Sequence, residues 1–315
     1  MDISLYKPKR RIKQKHLLHL KDYSATDIYE ILYLTQKLKN AFRHGKKHRL
    51  LKNNTLAMIF STPSTRTRLA FETGIQQLGG RSIFLSDEDM QCSRGESMHD
   101  TALVLSRYGI DGAVIRTHAQ SDVEELAKYG NFPVINGLTD SFDPCQALSD
   151  IFTIWETFGH LEGKKLAYFG DGNNTANSLM LAGAKTGMKV CVCSPKEYAP
   201  AEDIVTLARN FGDVTITNDT EEAAADADVI YTDVFFSMGQ KRTAEKEAAL
   251  APYQVNSKIL HAAQKDAVFM HCLPARRGEE VTESVIDSTH SIIFEQAENK
   301  LHAQKAVMTL LMNKK

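Results

Sequence analysis

Apolar residues along this chain fall into two alternating patterns. Short runs with an apolar centre read as strands, at 55–60, 82–85, 111–117, 133–138, 166–169, 190–193, 214–217, 229–232 and 268–271. Between them lie stretches of helical period. Ser24-x-x-Asp27 reads as the capped start of a helix whose apolar face is Ile28, Ile31, Leu32 and Leu38. Ser97-x-x-Asp100 and Ser121-x-x-Glu124 read as two further capped starts. A long helix is expected over 144–158, and a last one, with no strand after it, over 297–311.

Strand–helix alternation of this kind predicts parallel sheets covered on both faces. The expected fold is α/β, with two doubly wound parallel-sheet domains spanning 1–148 and 149–315. The C-terminal helix is expected to pack back on the N-terminal domain. In such folds ligands bind beyond the carboxyl ends of strands. Ser64, Arg116, Asp171, Asp233 and Cys272 all stand at or just after expected strand ends.

The segment Ser64-Thr65-Arg66-Thr67-Arg68 follows the run 55–60 and opens a helical stretch. Hydroxyls, guanidinium groups and free backbone N–H groups at a helix N-terminus suit a phosphate. The glycines of Gly170-Asp171-Gly172-Asn173-Asn174 follow another strand and read as a tight turn that aims Asn174. A dinucleotide fingerprint fits poorly there. Thr175 replaces its third glycine, and the next strand ends in Ser194-Pro195 with no acidic residue.

Composition narrows the class. The chain has 315 residues, 43% hydrophobic and 24% charged, with a net charge of −1. That is a globular balance, and neither basic stretch carries interleaved aromatics, so a nucleic-acid partner is not expected. No run approaches membrane-spanning length and the charged N-terminus lacks an apolar signal core, so no membrane association is expected. Five cysteines without zinc-type spacing suit a reducing cytoplasm, and Cys191 and Cys193 read as small core residues.

On these motifs the chain resembles the aspartate/ornithine carbamoyltransferase family from about residue 16 onward. The resemblance rests on Ser64 to Arg68, Gln91 with Arg94-Gly95-Glu96, Ile115-Arg116-Thr117, Asn136 to Asp140, Pro144-Cys145-Gln146, the Gly170 to Asn174 segment, Asp233 with Ser237-Met238-Gly239, His271-Cys272-Leu273-Pro274, and Ala297-Glu298-Asn299. It implies a carbamoyl-phosphate domain, 1–148, and an ornithine domain, 149–315, the latter including the crossing helix. It also implies transfer of a carbamoyl group from carbamoyl phosphate to the side-chain amine of L-ornithine, giving L-citrulline within arginine metabolism. No metal or cofactor is implied, and the working unit is a homotrimer or a multiple of one.

By the same resemblance, Ser64, Thr65, Arg66 and Thr67 hold the phosphate, and Arg116 spans phosphate and carbonyl oxygens. Gln146 and the carbonyl of Cys272 or Leu273 hold the carbamoyl amide, with Gln91 reaching in from a neighbouring subunit. Asn174, Asp233, Ser237 and Met238 grip ornithine. Arg116, Gln146, Asp233 and Cys272 are the expected catalytic set.

Three residues depart from the family pattern. Asp143 stands where a histidine usually precedes Pro-x-Gln, Lys300 where an arginine usually follows Ala-Glu-Asn, and Thr62 where a lysine is common. A carboxylate cannot donate to the carbamoyl oxygen and repels developing oxyanion charge, and lysine lacks the guanidinium fork. Weaker carbamoyl-phosphate binding or slower chemistry is the expectation. The competing readings are a carbamoyltransferase for another amine such as putrescine, or a catalytically impaired member with a binding role.

Overall fold

The computed structural model describes residues 11–86, 88–90, 95–237 and 239–313. They form two compact units. One holds the chain up to Phe152 together with the residues from Asn299 onward, and the other is Thr153–Glu298.

The first unit contains a four-stranded sheet in the order β2-β1-β3-β4, all parallel. Its strands are β1 (Thr55–Phe60), β2 (Arg81–Ser86), β3 (Gly112–Arg116) and β4 (Val134–Leu138). All of β1 and β3 is buried, as unbroken apolar runs require, while β2 is an edge strand with partial exposure. The helices are α1 (Ala25–Arg43), α2 (Thr65–Gln77), α3 (Met98–Arg107), α4 (Gln120–Tyr129) and α5 (Pro144–Phe158). One face of the sheet, with Ala57, Ile59, Ala113 and Ile115, packs against Ala102 and Leu105 of α3 and Val123 and Leu126 of α4.

The capping box at Ser24 is formed in full, and Ser97 caps α3 through Asp100 N. Ser121 does not cap α4. The helix begins two residues earlier than that cap would give, at Gln120 after Ala119, and no side chain caps it. Tertiary contacts explain the shift, because Gln120 Oε1 accepts from Thr139 Oγ1 and Asn136 Nδ2 and so anchors the first turn. The C-terminal helix spans Ile293–Met312, beginning ahead of the expected 297. It packs on α2 at Gly74, where a β-carbon would lie 3.0 Å from Met308 Cε and 3.2 Å from Lys305 Cγ.

The second unit contains a five-stranded parallel sheet in the order β7-β6-β5-β8-β9. Its strands are β5 (Lys165–Phe169), β6 (Lys189–Cys193), β7 (Val214–Thr217), β8 (Val229–Thr232) and β9 (Val268–His271). Helix α6 is Asn174–Lys185. Ala167, Phe169, Cys191, Cys193, Ile230 and Phe269 share one buried cluster, so both cysteines are core residues.

Each sheet reverses its winding once, between β1 and β3 in the first and between β5 and β8 in the second. Crevices at such reversals are where open α/β sheets bind ligands. Among the described residues, no helix is long and apolar enough to cross a membrane.

Candidate active site

In the first unit, the turn from β1 into α2 is built by Ser64. Its extended backbone makes it the N-cap, and its Oγ accepts from Thr67 N at 3.3 Å. Thr65 is exposed at the first helical position, and Thr67 is buried. Arg66 and Arg68 differ in use. Arg68 is exposed, donates to Glu72 at 3.0 Å, and lies over the Phe84 ring at 3.5 Å. Arg66 is half-buried beside it in sequence.

Arg116 ends β3 and is 6% exposed. Its Nε donates to Thr62 Oγ1 at 3.1 Å and its Nη1 to the Gly137 carbonyl at 3.4 Å. Thr62 thus fixes the plane of the guanidinium. A lysine there would place a second cation against it.

Asp143 directly precedes α5 and caps it, its Oδ1 accepting from Gln146 N at 3.0 Å. Pro144 then occupies the first helical position, where its missing N–H costs nothing. The carboxylate at 143 therefore has a structural use that histidine fills less well. Gln146 is itself held at both ends of its side chain. Lys300 Nζ donates to Gln146 Oε1 at 2.7 Å, and Gln146 Nε2 donates to Asp150 Oδ1 at 2.7 Å. All three side chains are buried.

In the second unit, the Gly170–Asn174 turn leaves β5 with Gly170 at φ +124°. A β-carbon on Gly172 would lie 2.3 Å from Pro200 N, so only glycine fits that approach. The turn delivers Asn173 as the N-cap of α6, its Oδ1 accepting from Thr175 N and Ala176 N. Asn173 Nδ2 reaches Asp233 Oδ2 at 3.0 Å and Ser237 Oγ at 3.3 Å. Thr175 Oγ1 donates to the same carboxylate oxygen at 3.0 Å. Asn174, first in α6, is buried next to them.

Asp233 follows β8 and Cys272 follows β9. Asp233 Oδ1 accepts from Val234 N at 2.8 Å and from the Cys272 thiol at 3.1 Å. Behind the carboxylate stand Tyr168 and Tyr231, stacked with ring centroids 5.8 Å apart. Burial, and then the charge of Asp233, pushes the Tyr168 phenol well up from its ordinary value, so its hydroxyl stays a donor to Asn173 Oδ1. Lys246 Nζ pairs with Asp171 at 2.9 Å. Burial still lifts the Asp171 carboxyl above its ordinary value, against the pull of that ammonium.

The turn after β9 is locked from behind. His271, fully buried, accepts from Leu273 N at its Nδ1 (2.9 Å), which leaves Nε2 to donate to Glu280 Oε1 at 3.0 Å. Leu273 takes φ +58° and its bond to Pro274 is cis. Ligand atoms of Asp233, His271 and Cys272 lie within 4.8 Å of one another. Both His271 nitrogens are already engaged in hydrogen bonds, so the group is arranged for hydrogen bonding.

Each sheet thus gathers its own set of the expected residues. Ser64, Thr65, Arg66, Thr67, Arg116, Asp143, Gln146 and Lys300 belong to the first unit, and Asn174, Asp233, Ser237, Cys272 and Leu273 to the second. Gln91 and Met238 lie outside the described residues. Asp150 and Lys246 join these sets without a motif of their own, and Asn173 and Thr175 gain contacts to Asp233 that the glycine turn did not announce.

Comparison with known proteins decides the family. Residues 15–156 match the family model described as the carbamoyl-P binding domain of aspartate/ornithine carbamoyltransferase, and residues 162–311 match its Asp/Orn binding domain. The chain belongs to the aspartate/ornithine carbamoyltransferase family. An ornithine carbamoyltransferase of Anoxybacillus flavithermus is 52% identical over 308 residues, covering 96% of this chain and 98% of that protein. The solved ornithine carbamoyltransferase of Pyrococcus furiosus superposes with a TM-score of 0.92 at 49% identity, covering 95% of this chain and 97% of that one. That of Gloeobacter violaceus gives 0.86 at 41% identity, with 96% and 99% covered. The carbamoyltransferase domain matches divide the expected site residues as the sheets do, except that Lys300, within the second match, stands beside Gln146 in the first unit.

Proposed function

We propose that this chain is an ornithine carbamoyltransferase, which transfers the carbamoyl group of carbamoyl phosphate to the side-chain amine of L-ornithine. The products are L-citrulline and phosphate. The observation that carries the reading is the Asp233 cluster. A buried carboxylate, fixed by Asn173, Thr175 and Val234 N, meets the Cys272 thiol beside Ser237, as a site for an ammonium-bearing amino acid requires. Full-length relatives at about half identity carry the same name.

In this reading the N-terminus of α2 receives the phosphate, with Ser64, Thr65, Arg66 and Thr67 as donors. Arg116 neutralises phosphate charge and polarises the carbonyl. By the resemblance, Gln146 and the carbonyl of Cys272 or Leu273 hold the carbamoyl amide, and Gln91 of a neighbouring subunit completes the pocket in a homotrimer. Asp233 binds the α-ammonium of ornithine, and Asn174 with the Ser237–Met238 segment holds its α-amino and α-carboxyl groups.

The side-chain ammonium of ornithine has a pKa near ~10 in water, so it must lose a proton before reacting. Cys272 and Asp233 flank it, and removal from water favours the neutral amine, the proton passing to solvent as ornithine is buried. The nitrogen then attacks the carbonyl carbon, and a tetrahedral intermediate forms. The carbonyl re-forms as the bond to the phosphate oxygen breaks; the electron pair leaves with phosphate, which takes up the surplus proton of the attacking nitrogen. The chemistry so written uses no metal or organic cofactor.

The test is to supply carbamoyl phosphate labelled with ¹³C at the carbonyl, together with L-ornithine. The label should appear in citrulline with equal release of phosphate. A folded protein that binds phosphate and yields no labelled citrulline contradicts the reading.

A further inference from the structure

Gln146 is the one neutral member of a buried line, Lys300–Gln146–Asp150. Its two contacts, each 2.7 Å, are of opposite kind. An ammonium only donates and a carboxylate only accepts. The amide oxygen must therefore face Lys300 and the amide nitrogen must face Asp150. Rotating the amide by half a turn would set NH₂ against NH₃⁺ and oxygen against oxygen. Both ions are more than nine-tenths buried, where such mismatches weigh most.

A primary amide offers two N–H donors and two oxygen lone pairs. The contacts to Asp150 and Lys300 use one of each and leave one donor and one acceptor. A carbamoyl group presents the complement, an NH₂ donor and a carbonyl acceptor. Resting on the function proposed above, we infer that Asp150, with Lys300, is a positioning residue that orients the Gln146 amide to recognise the carbamoyl NH₂. Asp150 touches no substrate in this account. It lies one turn beyond Gln146 on α5, where an i, i+4 neighbour meets the side chain directly. Lys300 comes from the C-terminal helix, so that helix helps to set substrate recognition.

The experiment compares two stable ligands by titration calorimetry: phosphonoacetamide, which carries the NH₂, and acetonylphosphonate, which has a methyl group in its place. The wild-type protein should prefer the amide. Asp150→Asn should narrow that preference by several-fold, leaving affinity for the methyl ketone unchanged. The double variant Asp150→Asn with Lys300→Gln preserves net charge and leaves three amides with no enforced direction. It should lose the preference by roughly tenfold, the worth of one well-placed hydrogen bond. The ratio is read in both variants, and the charge-balanced one protects the test if the single variant folds poorly.

A wild-type protein with no preference for the amide overturns the assignment of Gln146 on which the inference rests. A wild-type preference that survives in both variants overturns the inference alone. A loss of affinity for both ligands in equal proportion, at an unchanged ratio, also overturns it, because that is what a merely structural role produces.

Discussion

The Cys272 thiol donates to Asp233 Oδ1 at 3.1 Å, on a carboxylate whose other oxygen is held at 3.0 Å by both Asn173 and Thr175. Neither residue is near the other in sequence. Parallel strands β8 and β9 pair side by side and end together, so the residues that follow them meet. This relationship ties the proposed ornithine site to the fold.

Asp233→Asn keeps the shape of that site and removes the charge facing the ammonium. The variant should fold normally and lose roughly 100-fold or more in kcat/KM for ornithine. Steady-state citrulline kinetics beside a thermal melt check this. Activity within about threefold of wild type contradicts the role given to Asp233.

Asp143→His restores the family's usual donor and removes the α5 cap. Turnover should rise, while stability should fall by about 1 kcal/mol, as for the loss of an N-cap. The two effects are separable by measuring kcat and the melting temperature on one preparation. An unchanged or lower rate in the histidine variant counts against a catalytic penalty from Asp143.

Thr62→Val keeps volume and removes the acceptor for Arg116 Nε. The guanidinium loses its fixed plane, so KM for carbamoyl phosphate should rise by roughly five- to tenfold, the scale of one hydrogen bond to a charged group. The KM for ornithine should stay put. Equal changes in both constants would point to a general disturbance of the fold.

His302 sits fully buried on the C-terminal helix. Burial, followed by the charges of Lys305, Lys39 and Arg43, lowers its pKa to about 3. The unfolded chain binds this proton near pH 6.5 and the folded protein does not, so folding stability falls as pH drops through that window. At pH 3 the loss traceable to His302 should reach about 4 kcal/mol at most. Acid unfolding of His302→Gln should shift to lower pH by comparison, and identical acid curves would contradict the linkage.

The strands were legible because most are short apolar runs bounded by turn residues, fully buried in β1 and β3, while the edge strands β2 and β7 are partly exposed. Ser24 and Ser97 were legible as caps because the hydroxyl of each accepts from the backbone N–H three residues on, a contact made within one turn. Ser121 misled, because Gln120 is anchored by Asn136 and Thr139, contacts no local pattern encodes. The motif-bearing side chains could be read at strand ends. Asp150 and Lys246 could not, and neither could the contacts of Thr62, Asn173 and Thr175, since each acts through a neighbour brought near only by folding. Asp143 read as a defect from sequence, and the fold shows that its carboxylate caps α5.

The measurement that tests the central claim most directly is the ratio of kcat/KM for L-ornithine to that for putrescine, with carbamoyl phosphate saturating. The two amines differ by one carboxylate, so the ratio reports whether the Asp233 and Ser237 region reads an amino acid. The account predicts citrulline formation and a preference for ornithine of roughly 100-fold or more, as expected when a site's polar groups are left unpaired by the smaller substrate. Equal use of both amines, or turnover of putrescine alone, would contradict it.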